Sequence, residues 1–394
     1  MKNILIIATG GTIACEESKE GLTPALNIDK LISYIPDVKA LCNIYGISVM
    51  NVDSTNMSPE LMKKIAQTVE DNYNSYDGFV VTHGTDTMAY SAAAVTYMLH
   101  NLSKPVVFTG SQYPIETEHT DAIKNLSDAV RFACEKVSGV YVVFNGRVIN
   151  GTHAVKVCTR NIAAFESVNY PVVATIDMDK ISYNQDIYNE MVNDITNSNK
   201  TDGYDITKIN DSKIKDENRN NIKINNSKAN DSEINDSEIN DSKINYNEKN
   251  NSKIKIADTD MCDNVIVLKL FPGIDAGIFD YIKEHYKGVV LEGYGIGGIP
   301  GEGVDNSRYN IVDKIGELIN SGVSVVVTTQ CLYEGINLDV YEVGHILARK
   351  NVIVAADMTT EAIMMKLMWV LAHYTKQEDV KKYMETPYYS DRSY

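Results

Sequence analysis

Short apolar runs rich in β-branched residues alternate along this chain with longer segments of helical period, and that alternation limits the fold more than any other feature. Lys2–Ala8 reads as a buried strand and Ile47–Val52 as a second. Pro59–Tyr73 carries Leu61, Ile65, Ala66 and Val69 on one stripe, the spacing of a helix with one apolar face. Gly78–Thr82 is a third strand, Met88–Leu102 an Ala-rich helix, Pro105–Thr109 a fourth strand, Thr120–Val137 a helix and Val140–Phe144 a fifth strand. The C-terminal part repeats the scheme on a smaller scale. Strands Val265–Leu270, Gly288–Leu291, Val323–Thr328 and Val352–Ala355 alternate with helices Ala276–Tyr286, Asn310–Ser321 and Thr360–His373. Parallel strands need a crossover between them, so this order predicts parallel sheets covered on both faces. The expected fold class is α/β: two doubly wound α/β domains, the larger N-terminal, with a low-complexity insert between them.

The insert is visible as a change of composition. From about Asn193 to Ile256 the remaining apolar residues are nearly all single isoleucines among Asn, Asp, Ser, Lys and Glu, and Asn-Asp-Ser recurs at 230, 235 and 240. A period of five matches neither strand nor helix, so no continuous apolar face forms to offset the chain entropy. The expected boundaries are 1–190 for the N-terminal catalytic domain, 191–258 for a disordered insert or linker, and 259–394 for the C-terminal domain.

Charge and cysteine usage exclude some classes. Lys and Arg total 37 against 53 Asp and Glu, a net charge of -16. Nucleic acid and anionic membranes would both repel such a surface. Six cysteines scattered over 394 residues, with no CxxC pair, fit free thiols in a reducing cytoplasm better than a disulfide framework. The apolar run at the N-terminus is too short for a signal peptide, and no stretch approaches the ~20 apolar residues of a membrane span. The expected location is the cytoplasm.

In an open parallel sheet, ligands bind outside the carboxyl ends of the strands. The first strand is followed by Thr9-Gly10-Gly11-Thr12, the second by Asp53-Ser54-Thr55, the third by Thr82-His83-Gly84-Thr85-Asp86 and the fourth by Thr109-Gly110-Ser111. Taken singly, such Thr and Ser residues are most often helix caps, and His83 behind its apolar strand reads as structural. Their recurrence at four strand ends marks a site. Neither Gly10-Gly11 nor Gly295-Ile296-Gly297-Gly298 has the G-x-G-x-x-G spacing or a P-loop lysine, which argues against nucleotide binding. A threonine nucleophile needs a base. Lys156, the lone basic residue of the run Gly151–Thr159 apart from His153, can serve if desolvated; the bland alternative is a snorkelling surface lysine.

These motifs carry a resemblance. Ala8-Thr9-Gly10-Gly11-Thr12-Ile13-Ala14 and the stretch Gly78–Met88 with His83-Gly84-Thr85-Asp86-Thr87 are similar to two signatures of the bacterial cytoplasmic type I L-asparaginases. Asp53-Ser54, the Lys156 region running into Ala164–Pro171, Thr329-Gln330-Cys331 and Ala356–Thr359 extend the match over nearly the whole chain outside the insert. The resemblance implies hydrolysis of L-asparagine to L-aspartate and ammonia, with L-glutamine as a side substrate and with neither metal nor cofactor. It implies Thr12 as primary nucleophile forming an acyl-enzyme, and Thr85, Asp86 and Lys156 as the second catalytic group. Asp86 would also pair with the substrate's α-ammonium, and Ser54 with the backbone around Asp53 would take its α-carboxylate. Thr55, Gly84 and Ser111 complete the substrate-binding candidates. The order in which the two threonines attack stays open. A homodimer or homotetramer follows from the same resemblance.

Three positions depart from that pattern. The lid Glu16–Pro24 lacks a tyrosine and has Leu22 at the matching place, Gly298 stands where many relatives have Asn, and Val155 stands where asparagine-activated members have Thr beside the Thr-Gln-Cys cysteine, here Cys331. Two rival readings remain. One is the asparaginase-like subunit of a tRNA-dependent amidotransferase, disfavoured by the acidic charge and by the chain's start at the first strand rather than at an additional barrel. The other is an inactive asparagine sensor, which would have no use for Lys156.

Overall fold

In a computed structural model of the chain, the structure describes residues 1–18, 21–24, 28–188, 256–301, 307–340 and 342–393. Residues 189–255, which take in most of the low-complexity insert, lie outside the described residues. The N-terminal domain is built on one eight-stranded sheet. Its strands are β1 (Lys2–Gly10), β4 (Cys42–Val52), β5 (Gly78–Thr82), β6 (Pro105–Thr109), β7 (Gly139–Phe144), β8 (Arg147–Asn150), β11 (Ala174–Asp177) and β12 (Lys180–Tyr183). The order across the sheet is β12-β11-β8-β7-β6-β5-β1-β4.

The sheet is mixed, which corrects the expectation of a wholly parallel one. β4, β1, β5, β6 and β7 run parallel, whereas β8, β11 and β12 are added antiparallel. The physical reason is the turn at Asn145-Gly146, where both residues have positive φ (48° and 73°) and reverse the chain in two residues. A hairpin that tight forces the next strand antiparallel. The parallel strands β5 and β6 are buried along their full length, as crossover helices on both faces require.

Two further hairpins stand apart from the sheet: β2 (Cys15–Ser18) with β3 (Gly21–Pro24), and β9 (Ala154–Lys156) with β10 (Phe165–Ser167). The first lies directly after Thr12–Ala14, in the segment read as a lid. Its backbone register sets Leu22 opposite Glu17. The second carries Lys156.

The helices of the N-terminal domain are α1 (Ile28–Ser33), α2 (Pro59–Asn72), α3 (Met88–Met98) and α4 (Ala122–Ala133). Ser58 caps α2 by accepting from the Leu61 amide, with Pro59 in the first turn. The C-terminal domain has a four-stranded parallel sheet, β13 (Val265–Lys269), β14 (Gly288–Gly293), β15 (Ser324–Thr329) and β16 (Ile353–Val354). Its helices are α5 (Ile278–His285), α6 (Ile311–Asn320), α7 (Glu342–Arg349), α8 (Thr360–His373) and α9 (Gln377–Glu385). The architecture is thus the two-domain α/β fold anticipated, large sheet first and small sheet second.

The domains meet along α3 and α8, which pack on each other. Both are apolar nearly all round, and α3 is buried from Met88 to Met98 but for one position, as helices enclosed by protein on every side must be. The seam is closed by the segment Tyr388–Ser393. Asp391 is fully buried and pairs with Lys366 of α8 at 2.7 Å, while Tyr97 of α3 donates to the same carboxylate at 2.9 Å. Ile256 and Ala257, which composition assigns to the insert, are buried, and the Ile256 carbonyl accepts from the His100 amide at 2.6 Å.

Candidate active site

The sheet places the carboxyl ends of β1, β5 and β6 side by side, and glycines let the backbones beyond them touch. Gly11 has φ +81°, and a methyl group there would stand 2.4 Å from the Gly84 nitrogen. A methyl group on Gly84 would stand 2.6 Å from both the Cβ and the Oγ of Ser54. So the turn after β1, the turn after β5 and Ser54 after β4 are in van der Waals contact only because these positions lack a side chain. Thr12 and Thr85 are the next residues after the two glycines. The Thr9 hydroxyl donates to the Thr82 carbonyl at 2.8 Å, and the His83 amide donates to the Thr109 carbonyl at the same distance, tying the three turns together.

Within this frame Thr85, Asp86 and Lys156 form one bonded cluster. The Lys156 ammonium donates to Thr85 Oγ1 at 2.8 Å and to Asp86 Oδ1 at 2.5 Å. Its side chain is 17% exposed and that of Asp86 56%. The lysine is therefore mostly enclosed while the carboxylate keeps an open side on which a second cation can sit. β9 brings Lys156 there: the hairpin pairs Lys156 with Phe165 and Val155 with Glu166. Because neighbouring side chains on a strand point to opposite faces, Lys156 faces Thr85 while Val155 faces the other way.

On that other face is a cavity of about 240 Å³ whose lining includes Val155, Tyr90, Glu292, Cys331, Thr360 and Glu361. Burial raises the Glu361 carboxyl above its ordinary value, with Glu292 adding to the effect. Val155, which stands where asparagine-activated members of the resembled group have Thr, and Cys331 thus share one cavity, separated from the lysine cluster by a single strand.

The remaining candidates are placed as follows. Ser54 is buried, and its carbonyl accepts from the Thr87 hydroxyl at 2.8 Å. Asp53 Oδ1 accepts from both the amide and the hydroxyl of Thr55 at 2.9 Å, so this pair is engaged in a local turn rather than in the cluster. The Ser111 hydroxyl donates to the Tyr113 carbonyl at 2.6 Å, again a local bond. His83 is fully buried; its Nδ1 donates to the Gly84 carbonyl at 2.7 Å. Desolvation pushes its imidazole down to about 4, so it is neutral and structural.

One residue at the site carries no sequence signal. Gln112, in the turn after β6, accepts from the Thr85 hydroxyl at 3.2 Å and donates to the Asn161 carbonyl at 3.2 Å. Its main chain is pinned by Asp121, whose two carboxylate oxygens accept from the Gln112 amide at 3.1 and 3.0 Å. A lone glutamine in a turn has no motif; only the fold shows its neighbours. Among the described residues no group of three or more His, Cys, Asp or Glu is placed to hold a metal ion.

Comparison with known proteins places both parts of the chain in one family. Family models match both parts of the chain, "Asparaginase, N-terminal" over residues 3–189 and "Glutaminase/Asparaginase C-terminal domain" over residues 264–384. The chain is 31% identical to an L-asparaginase of Thermococcus kodakarensis, over 97% of this chain and 96% of that protein. It is also 31% identical to one component of the glutamyl-tRNA(Gln) amidotransferase of Pyrococcus abyssi, over 98% of this chain and 76% of the relative. Among solved structures, the thermostable L-asparaginase from Thermococcus kodakarensis matches with a TM-score of 0.76 at 30% identity, covering 99% of each chain. L-asparaginase I from Vibrio cholerae matches with a TM-score of 0.74 at 25% identity, covering 100% of this chain and 99% of the other. With both domains matched and nearly full-length relatives at this identity, the chain belongs to the asparaginase/glutaminase family of amidohydrolases.

Proposed function

We propose that the protein is an L-asparaginase of the bacterial type I kind, hydrolysing L-asparagine to L-aspartate and ammonia through a threonine acyl-enzyme. The observation that carries this reading is the Lys156 ammonium shared between Thr85 and Asp86 beside the Gly11–Gly84 contact. An ammonium that donates to a hydroxyl oxygen lowers the cost of that hydroxyl giving up its proton, and no other lysine among the described residues is bonded to a strand-end threonine.

In this mechanism Thr12 Oγ attacks the side-chain carboxamide carbon. Backbone amides of the turns after β1 and β6 hold the oxyanion, worth about 3 kcal/mol per donor. The Thr12 proton passes to the amide nitrogen, the C–N bond breaks, ammonia leaves and an ester to Thr12 remains. Water then attacks that ester beside Thr85 and Lys156; as the bond to Thr12 Oγ breaks, the proton given up by the water goes to that oxygen, which releases L-aspartate and restores the hydroxyl. The open side of Asp86 receives the substrate α-ammonium, and Ser54 with the adjoining backbone receives the α-carboxylate. Such a site needs no metal or cofactor for either half-reaction.

The same reading carries a homodimeric or homotetrameric assembly in the cytoplasm. All six cysteines are free thiols, as a reducing compartment favours, and no helix among the described residues is long and apolar enough to cross a membrane. The amidotransferase relative supports a second reading, a subunit acting with tRNA. The net charge of -16 weighs against it, since the phosphate backbone would be repelled. Ammonia release from asparagine and from glutamine, with wild type and Thr12→Ala, decides. Robust turnover by the wild type alone and abolished by the substitution is expected; equal rates in both would remove the enzyme reading.

A further inference from the structure

The Thr85 hydroxyl has one proton, and its two neighbours dictate where that proton points. Thr85 Oγ1 is bonded on one side by Lys156 Nζ and on the other by Gln112 Oε1. An ammonium can only donate, so the oxygen of Thr85 must accept from Lys156, and its proton is left for Gln112. The orientation of the Gln112 amide is itself determined. Its other end faces the Asn161 carbonyl, which can only accept, so the NH₂ must lie there and the Oε1 must lie against Thr85. The result is a one-way chain of donors: Lys156 to Thr85, Thr85 to Gln112, Gln112 to Asn161.

We propose that Gln112 is a positioning residue of this site, which by accepting the Thr85 proton turns the lone pairs of Thr85 toward Lys156 and holds that lysine as the charged donor in the resting protein. The inference deepens the asparaginase reading and rests on it for the meaning of Thr85, but the bond pattern stands apart from any substrate. Successive hydrogen bonds polarise one another, so an acceptor beyond Thr85 strengthens the bond from the ammonium. Remove that acceptor, and the only remaining partner for the Thr85 proton within the chain of donors is the lone pair of an uncharged lysine.

The side chain can be exchanged without undoing the loop. Asp121 holds the main chain of Gln112 and Tyr113, not the Gln112 side chain, and also takes Asn125 Nδ2 at 3.1 Å. The charged groups bonded to the chain of donors are Asp86 through Lys156, and Asp121 through the backbone beneath Gln112.

Gln112→Leu and Gln112→Glu give opposite expectations. The leucine removes the acceptor, so the alkaline limb of the pH–rate profile moves down by about half a unit to one unit. The carboxylate accepts more strongly and adds negative charge near the ammonium, so the limb moves up. Turnover of the leucine variant falls about ten- to a hundred-fold through a misdirected hydroxyl, with a smaller change in KM than in kcat. A parallel measurement needs no turnover: the pH dependence of Lys156 acetylation by acetic anhydride, read by peptide mass spectrometry on folded protein. Opposite displacements of the Lys156 labelling curve in the two variants support the proposal. Displacements in the same direction, or none, overturn it. Should the wild type release no ammonia from asparagine, the labelling curves still decide the role of Gln112, and the failure falls on the asparaginase reading alone.

Discussion

The two sheets of this molecule obey the same strand-end rule yet spend their polar residues differently. At the C-terminal sheet, the Thr329 hydroxyl bonds the Gly295 carbonyl, and Gln330 Nε2 donates to the Leu270 and Glu292 carbonyls at 2.6 and 3.0 Å. The Thr359 hydroxyl donates to the Thr152 carbonyl at 3.0 Å, and Asp357 accepts from the Ser393 amide at 2.9 Å. These groups satisfy backbone, and so they hold turns and the domain seam in place. At the N-terminal sheet, Thr85, Asp86 and Lys156 bond one another, side chain to side chain. On the proposed reading, what separates a reactive strand end from a structural one is a charged partner delivered by a second element, here hairpin β9–β10. A hydroxyl after a strand is therefore uninformative until its partner is known.

The comparison can be broken by substitutions that should act on stability at one end and on chemistry at the other. The largest structural effect belongs to the buried Asp391–Lys366 pair. Asp391→Ala leaves a desolvated ammonium on α8, costing about 3–5 kcal/mol in denaturant unfolding, while turnover per folded molecule at low temperature holds. Lys366→Met combined with Asp391→Leu recovers much of that loss if the cost is the unpaired charge. His83 is one of the structural groups among the N-terminal strand ends. Its imidazole stays neutral in the fold down to about 4, whereas the unfolded chain binds a proton near the ordinary 6.5. The unfolded state thus takes up more protons between these values, so stability falls as pH drops through that window, by about 3 kcal/mol. Unfolding curves from pH 7 to 4 for wild type and His83→Gln check this; a slope as steep in the variant would contradict it.

Gly11→Ala sharpens the contrast from the backbone side. Its φ of +81° and the 2.4 Å approach to Gly84 predict a loss of about 1–3 kcal/mol, together with reduced turnover as the first and third turns are pushed apart. Thr329→Val removes two neutral hydrogen bonds, the one given to the Gly295 carbonyl and the one taken from the Cys331 amide, worth about 2 kcal/mol together, and leaves turnover unchanged. A large fall in turnover from that substitution would erase the distinction between the two sheets.

Legibility in the sequence follows the physics of each element. β5 and β6 are read to the residue because strands buried on both faces are unbroken apolar runs. β8, β11 and β12 are four residues each with polar residues interleaved, too short to show a period, and the mixed character of the sheet is hidden with them. Helices α7 and α9 lie among charged residues and do not stand out. Lys156 does, as a lone cation in an apolar run. Gln112 and Asn161 do not, since their meaning lies in contacts between turns far apart in sequence.

In the asparaginase reading, the lysine-bridged hydroxyl of the N-terminal sheet carries the chemistry. Lys156→Met keeps the length of the apolar stem and removes the ammonium, and its steady-state ammonia release from L-asparagine should be compared with wild type alongside the melting temperature of each. Turnover should be lower by about 10²–10⁴-fold, with melting within a few degrees of wild type. A variant that melts normally and releases ammonia at the wild-type rate would contradict it.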